Sequence, residues 1–143
     1  MATNVIHDCS VELRDLNLRA TPARVAVMNF LEEAISPVDI NSVIDYLNAG
    51  GIKTDPATVF RIMNALTQKG ITTPVHFQEG KTRYELSSKD DHHHLICENC
   101  GRIEDMPDTV IPTLEKEINK KTGFLVKRHS LEFFGVCAGC RGK

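Results

Sequence analysis

Residues 55–86 read DPATVFRIMNALTQKGITTPVHFQEGKTRYEL, and the order of signals in this stretch decides the fold of the first half of the chain. Asp55 followed by Pro56 is a helix start, because the carboxylate can cap free N–H groups and Pro arrives with a φ suited to the first helical position. Val59, Ile62, Met63 and Leu66 then recur at i, i+3, i+4 and i+7, one buried face, and Lys69-Gly70 ends the helix. The opposite face carries Ala57, Thr58, Arg61, Asn64, Ala65 and Gln68. Beyond Gly70, Ile71 to Phe77 and Thr82 to Leu86 have strand character, and Gln78-Glu79-Gly80-Lys81 between them is a hairpin turn.

Upstream the same grammar repeats. Asn4 to Leu16 is a short amphipathic helix candidate. Thr21-Pro22 launches a second helix through Ala34 with Val25, Met28 and Leu31 inward, and Asp39 to Asn48 forms a third on Ile40, Val43, Ile44 and Leu47, stopped by Gly50-Gly51. Helices followed by a β-hairpin describe a winged helix, whose last helix enters the major groove of DNA. Its exposed face offers the groups that base reading needs: Arg61 for guanine, Asn64 and Gln68 for adenine, Thr58 beside them, and small Ala57 and Ala65 for close approach. Lys81 and Arg83 make a basic wing tip suited to phosphate. Bulk charge does not supply this affinity, since residues 1–86 hold eight basic and ten acidic side chains and the whole chain carries a net −2.

The chain changes character near residue 88. Ser87 to Asp91 has the composition of a hinge. His92 to Cys97 and Arg102 to Met106 read as strands, Asp108 to Thr122 as a helix with Val110, Ile111, Leu114 and Ile118 on one face, and Phe124 to Val136 as an alternating third strand. The fold class is therefore α+β: a winged helix over 1–86, a hinge over 87–91, and a small α+β domain over 92–143. The apolar alternation Phe124, Val126, Leu131, Phe133 offers an edge that a second copy could extend, which predicts a homodimer.

Two C-x-x-C pairs, Cys97/Cys100 and Cys137/Cys140, in a chain with no apolar leader favour a metal over disulfides. Two such turns complete a closed S4 shell, the structural form of a zinc site. Cys9 stands apart as a small buried or semi-exposed residue. The three consecutive histidines suggest a second kind of site. Residues two apart on a strand share a face, so His92 and His94 can bind one ion while His93 points away. With Glu85 and Asp105 as carboxylates, the donor set is one for Fe(II), Mn(II), Zn(II) or Ni(II). An ion bound by both halves would freeze the hinge and so couple its concentration to DNA geometry. An enzyme is the remote alternative, with His92, His94 and Asp105 around a catalytic metal, but the chain has no Gly-rich phosphate loop or nucleophile motif. At 143 residues, with acids near its start and no apolar run of about 20 residues, the chain is expected to be cytoplasmic and not a membrane protein.

Leu13 to Arg24, Ala57 to Arg61, Gly80 to Glu85, His92 to Cys97 with Cys100-Gly101, Gly123-Phe124, His129 and Gly135 to Cys137 together resemble the ferric uptake regulator family over nearly the whole chain. The resemblance implies a dimeric, metal-dependent transcriptional repressor that binds a double-stranded DNA operator. It implies Cys97, Cys100, Cys137 and Cys140 as ligands of structural Zn2+, and Glu85, His92, His94 and Asp105 as a regulatory site for Fe2+ or Mn2+. His93 and His129 match a further metal site. Pro112 stands where that site usually has Glu, leaving Asp91 or Glu115 as substitutes. Arg61 matches the arginine of the recognition helix, Phe60 replaces a usual Tyr, and Arg19 matches a residue that reaches the minor groove. Ser36 occupies the place of a common regulatory histidine. The absence of Cys near Glu85 favours iron or manganese over zinc as the sensed ion, and Asp105 in place of Glu keeps a peroxide sensor as an alternative.

Overall fold

The side chain of Asp8 accepts the N–H groups of Ser10 and Val11 and starts α1 (Cys9–Asp15), so the first helix begins later than the apolar pattern from Asn4 suggests. In this computed structural model the described residues are 8–88 and 92–142, and they divide into two compact units on either side of residues 89–91. Residues 4–7 of the expected first helix and 89–91 of the expected hinge lie outside the described residues. Ser87 belongs with the first unit, its N–H donating to the Ile71 carbonyl and its hydroxyl lying 2.7 Å from that of Thr73.

In the first unit α2 (Pro22–Glu33), α3 (Ile40–Ala49) and α4 (Pro56–Gln68) start as their sequences direct. The side chains of Thr21, Asp39 and Asp55 accept the N–H groups of Arg24, Ser42 and Thr58. Leu13, Val27, Met28, Leu31, Val43, Leu47, Val59, Met63 and Leu66 meet in one buried core. Val25 only packs against this core, and Val27 takes the inward position. β2 (Thr72–His76) and β3 (Thr82–Leu86) form the antiparallel hairpin. A two-residue strand that the sequence does not announce, β1 (Val38–Asp39), pairs with Arg83 and Tyr84 and sets the sheet order β1-β3-β2.

The second unit is built on β4 (His92–Cys97), with β5 (Ile103–Pro107) antiparallel on one side and β6 (Glu132–Gly135) parallel on the other. α5 (Ile111–Thr122) starts three residues later than the pattern from Asp108 suggests. Pro112 lies in its first turn, where a missing N–H costs nothing. The third strand is also shorter than expected. Residues 123–131 have no regular structure, Phe124 and Leu125 are exposed, and only 132–135 pair with β4. Alternation alone cannot make a strand where no neighbouring strand offers hydrogen bonds, and Lys127 to Ser130 interrupt the apolar run.

Candidate metal centres and nucleic-acid interface

Each cysteine pair sits on its own tight turn. Gly101, with φ +77°, donates its N–H to the Cys97 carbonyl, and Cys140 donates to the Cys137 carbonyl. The four Sγ atoms lie within 4.8 Å of one another, and Cys100 Sγ is 3.7 Å from Cys137 Sγ. A tetrahedral ion with Zn–S bonds of about 2.3 Å spaces its sulfurs about 3.8 Å apart, so the set has the size of a zinc shell. The Cys137 N–H donates to Cys97 Sγ at 3.3 Å, and with further N–H groups from Cys100 and Asn99 it holds the Cys97 thiol down at about 6. Cys140, hydrogen-bonded to the sulfurs of Cys137 and Cys100, is pushed up to about 12. A divalent cation at the centre would relieve that crowding of negative charge. Cys9 takes no part in this site. It is buried under α2, its thiol 3.3 Å from Asn29 Oδ1 and raised to about 11 by burial and by Glu32.

The period of two along β4 does the sorting that the sequence suggests. His92 and His94 share a face with Nε2 atoms 3.1 Å apart. Asp105, directly across the ladder from His94, places Oδ1 3.7 Å from His94 Nε2 and 4.0 Å from His92 Nε2. His93 faces the other way, 5% exposed, with its ring centroid 5.2 Å from that of His129. Asp108 Oδ1 lies 3.3 Å from His93 Nε2, and Asp108 Oδ2 lies 3.7 Å from His129 Nε2. Glu115 reaches the other ring nitrogen, Nδ1 of His129, at 3.1 Å. Sequence reasoning missed Asp108, because it fell inside an expected helix, where its side chain had no reason to turn toward β4. Asp91 lies outside the described residues. Glu85 sits on β3 opposite Thr73 in the first unit.

On the first unit α4 exposes Arg61, Asn64 and Gln68 in a row, with Thr58 and Ala65 half-buried beside them. Phe60 projects with 52% of its surface exposed, and Arg19 is exposed before α2. The two wing cations are less available than composition implies. Lys81 Nζ is 2.6 Å from Asp39 Oδ2. Arg83 is bound at both ends of its guanidinium, to the Glu79 carboxylate at 2.9 Å and to the Pro37 carbonyl at 3.1 Å. The Glu79 hydrogen bond, with the charges of Glu79 and Asp39, raises Arg83 above its ordinary pKa against its partial burial, and the bond to Pro37 ties the hairpin to the segment before α3. The partner of Lys81 could have been suspected from Asp39, but β1, which brings the two together, has too few residues to be read in advance.

No helix among the described residues is long and apolar enough to cross a membrane. A family model described as the ferric uptake regulator family matches residues 15–134. The ferric uptake regulation protein of Vibrio parahaemolyticus is 33% identical over 141 residues, covering 94% of this chain and 92% of its own. The solved structure of the Vibrio cholerae ferric uptake regulator is similar with a TM-score of 0.77 and 32% identity, over 90% of this chain and 98% of that one. That of the Francisella tularensis ferric uptake regulator with iron has a TM-score of 0.76 and 28% identity, over 87% and 95%. A match over residues 15–134, from the end of α1 into β6 and so across the winged helix and the histidine-bearing sheet alike, establishes that this chain belongs to the ferric uptake regulator family.

Proposed function

We propose that this protein is a cytoplasmic, homodimeric, metal-responsive repressor that binds a double-stranded DNA operator and senses iron(II), with manganese(II) the next ion in order. The observation that carries this reading is the convergence of His92 Nε2, His94 Nε2 and the Asp105 carboxylate on one face of β4 and β5. Two imidazoles and a carboxylate suit a divalent first-row metal that must exchange, whereas four thiolates suit a zinc ion that stays. Glu85, in the first unit, is the further ligand that the sequence suggests. The exposed row Arg61, Asn64 and Gln68 supports direct base reading, with Thr58 and Phe60 flanking it and Arg19 and Lys81 as backbone contacts. Arg83, committed to Glu79 and Pro37, supports the wing's shape more than it supports a phosphate contact. Exposed Phe124, Leu125, Phe133, Phe134 and Val136 favour a second copy of the chain as the partner of the second unit. Iron is favoured by the names and the iron-containing structure of the relatives.

The test selects operator duplexes from a random pool with the zinc-containing protein, then measures affinity at fixed salt under anaerobic conditions with Fe2+, Mn2+, Zn2+ or no added ion. Metal should tighten binding by roughly 1 to 3 kcal/mol, the usual size of an allosteric coupling. Replacing both His92 and His94 by Ala should remove the response while zinc content stays unchanged. Arg61→Ala should weaken specific binding by about 1 to 3 kcal/mol at every metal concentration. Operator affinity independent of all three ions would sink the proposal.

A further inference from the structure

Lys81, at the wing where a DNA phosphate would approach, is already engaged within the fold. Its Nζ lies 2.6 Å from Asp39 Oδ2, and the carboxylate that holds it is not free to swing away. Oδ1 of the same carboxylate accepts the Ser42 N–H at 2.8 Å as the cap of α3, and the backbone of Asp39 is paired with Arg83 in the β1–β3 ladder. The Asp39 side chain is 13% exposed, that of Lys81 45%. The pair stands on the reading side of the first unit. Asp39, Lys81, Thr82 and Tyr84 line a groove of about 190 Å³ together with Phe60, the exposed ring that projects from α4 beside Arg61. A carboxylate fixed there brings negative charge to the surface that meets phosphate, and it cancels the charge of the cation beside it. Burial would raise this carboxyl, but the hydrogen bonds from Lys81 and Ser42 hold it at about 2, so it is ionised at neutral pH.

We propose that Asp39 is an intramolecular competitor for the phosphate contact of Lys81, lowering the affinity of the protein for duplex DNA of any sequence and leaving discrimination to α4. This rests on the reading of the first unit as a DNA-binding winged helix. A cation that neutralises a phosphate frees a condensed counterion, and each such contact makes affinity fall with salt by about 0.9 of a power. The Lys81–Asp39 pair carries no net charge, so its approach to a phosphate frees no counterion in net. Arg83 is neutralised in the same way by Glu79, at 2.9 Å, and the wing therefore lacks the long-range attraction that its basic residues imply. The functional consequence concerns the unliganded protein. A metal coupling of limited size switches operator occupancy only where affinity without the ion is already low, and a wing that gripped every duplex would hold the regulator on DNA without its signal.

Asp39→Asn isolates the charge, because Asn caps a helix as well as Asp does. The full-length, zinc-containing protein is titrated, without added regulatory ion, into a random-sequence duplex and into the selected operator. Asp39→Asn should bind both more tightly than wild type by the same factor, and that factor should be about threefold larger at roughly 50 mM salt than at roughly 200 mM, the mark of one added phosphate contact. Asp45→Asn, which removes an equal charge from an exposed position on α3, should not reproduce this. Adding Lys81→Gln to Asp39→Asn should return the salt dependence to that of wild type. Urea unfolding establishes that each variant is folded, and Asp39→Ser, another uncharged cap, provides a second variant should Asp39→Asn fail to fold. The proposal is overturned if the cap variants match wild type or Asp45→Asn, if only the operator responds, if the steeper salt dependence survives without Lys81, or if no duplex is bound at all. Operator affinity indifferent to added ions, with these salt effects intact, would count against the metal-responsive reading instead, so the two fail separately.

Discussion

Asp39 performs two tasks because its carboxylate oxygens face different ways. Oδ1 accepts the Ser42 N–H at 2.8 Å and caps α3, while Oδ2 meets Lys81 Nζ at 2.6 Å and anchors the wing. Burial alone would raise this carboxyl, but the hydrogen bonds from Lys81 and Ser42 and the charge of Lys81 outweigh it and bring it down to about 2. A carboxylate with a folded pKa below its unfolded value stabilises fully above the unfolded value near 3.8 and loses that contribution as pH falls through about 2. Asp39→Ala should therefore destabilise the first unit by about 1 kcal/mol near neutral pH, most of it from the lost cap, since an exposed ion pair adds only a few tenths. Urea unfolding of wild type and variant at pH 7 and at pH 2 checks this. The difference should shrink at the lower pH, and an equal difference at both would show that ionisation of Asp39 contributes nothing.

At the scale of the element, α4 shows how one helix can hold a fold and read a partner at once. Val59, Met63 and Leu66 are fully buried on one side, while Arg61, Asn64 and Gln68 stand exposed on the other. The two faces should respond independently. Met63→Ala removes a fully buried side chain and should cost about 2 to 5 kcal/mol, as large-to-small core changes do. Gln68→Ala should leave the unfolding midpoint within about 0.5 kcal/mol of wild type, because exposed substitutions rarely do more. Thermal and urea unfolding of both variants measures the contrast. β4 divides its labour in the same way, with His92 and His94 on one face and His93 on the other, because successive residues of a strand alternate.

At the scale of the whole molecule, the two units depend on different forces. The first has a continuous apolar core, whereas the second buries Cys97, Ile111, His93 and His94 and leaves Phe124, Leu125, Phe133 and Phe134 exposed. A unit with so little interior needs ions or a partner to stay folded. Cys97→Ser should accordingly remove zinc and dimerisation together, and wild-type zinc content with dimer mass by light scattering in that variant would contradict the idea. The sequence by itself determined the helix starts at Thr21, Asp39 and Asp55, the hairpin, the four-cysteine set and the sorting of the histidines along β4. Each of these follows from chemistry local to a few residues: a capping side chain, a Pro at a helix start, a C-x-x-C turn, a period of two. Only the tertiary structure decided that Lys81 meets Asp39 across 42 residues, that Arg83 reaches the Pro37 carbonyl, that β6 lies parallel to β4, and that Asp108 turns toward His93 and His129. Those pairings join segments far apart in the chain, and what selects them is the burial and hydrogen bonding available once the elements pack, which no local pattern records.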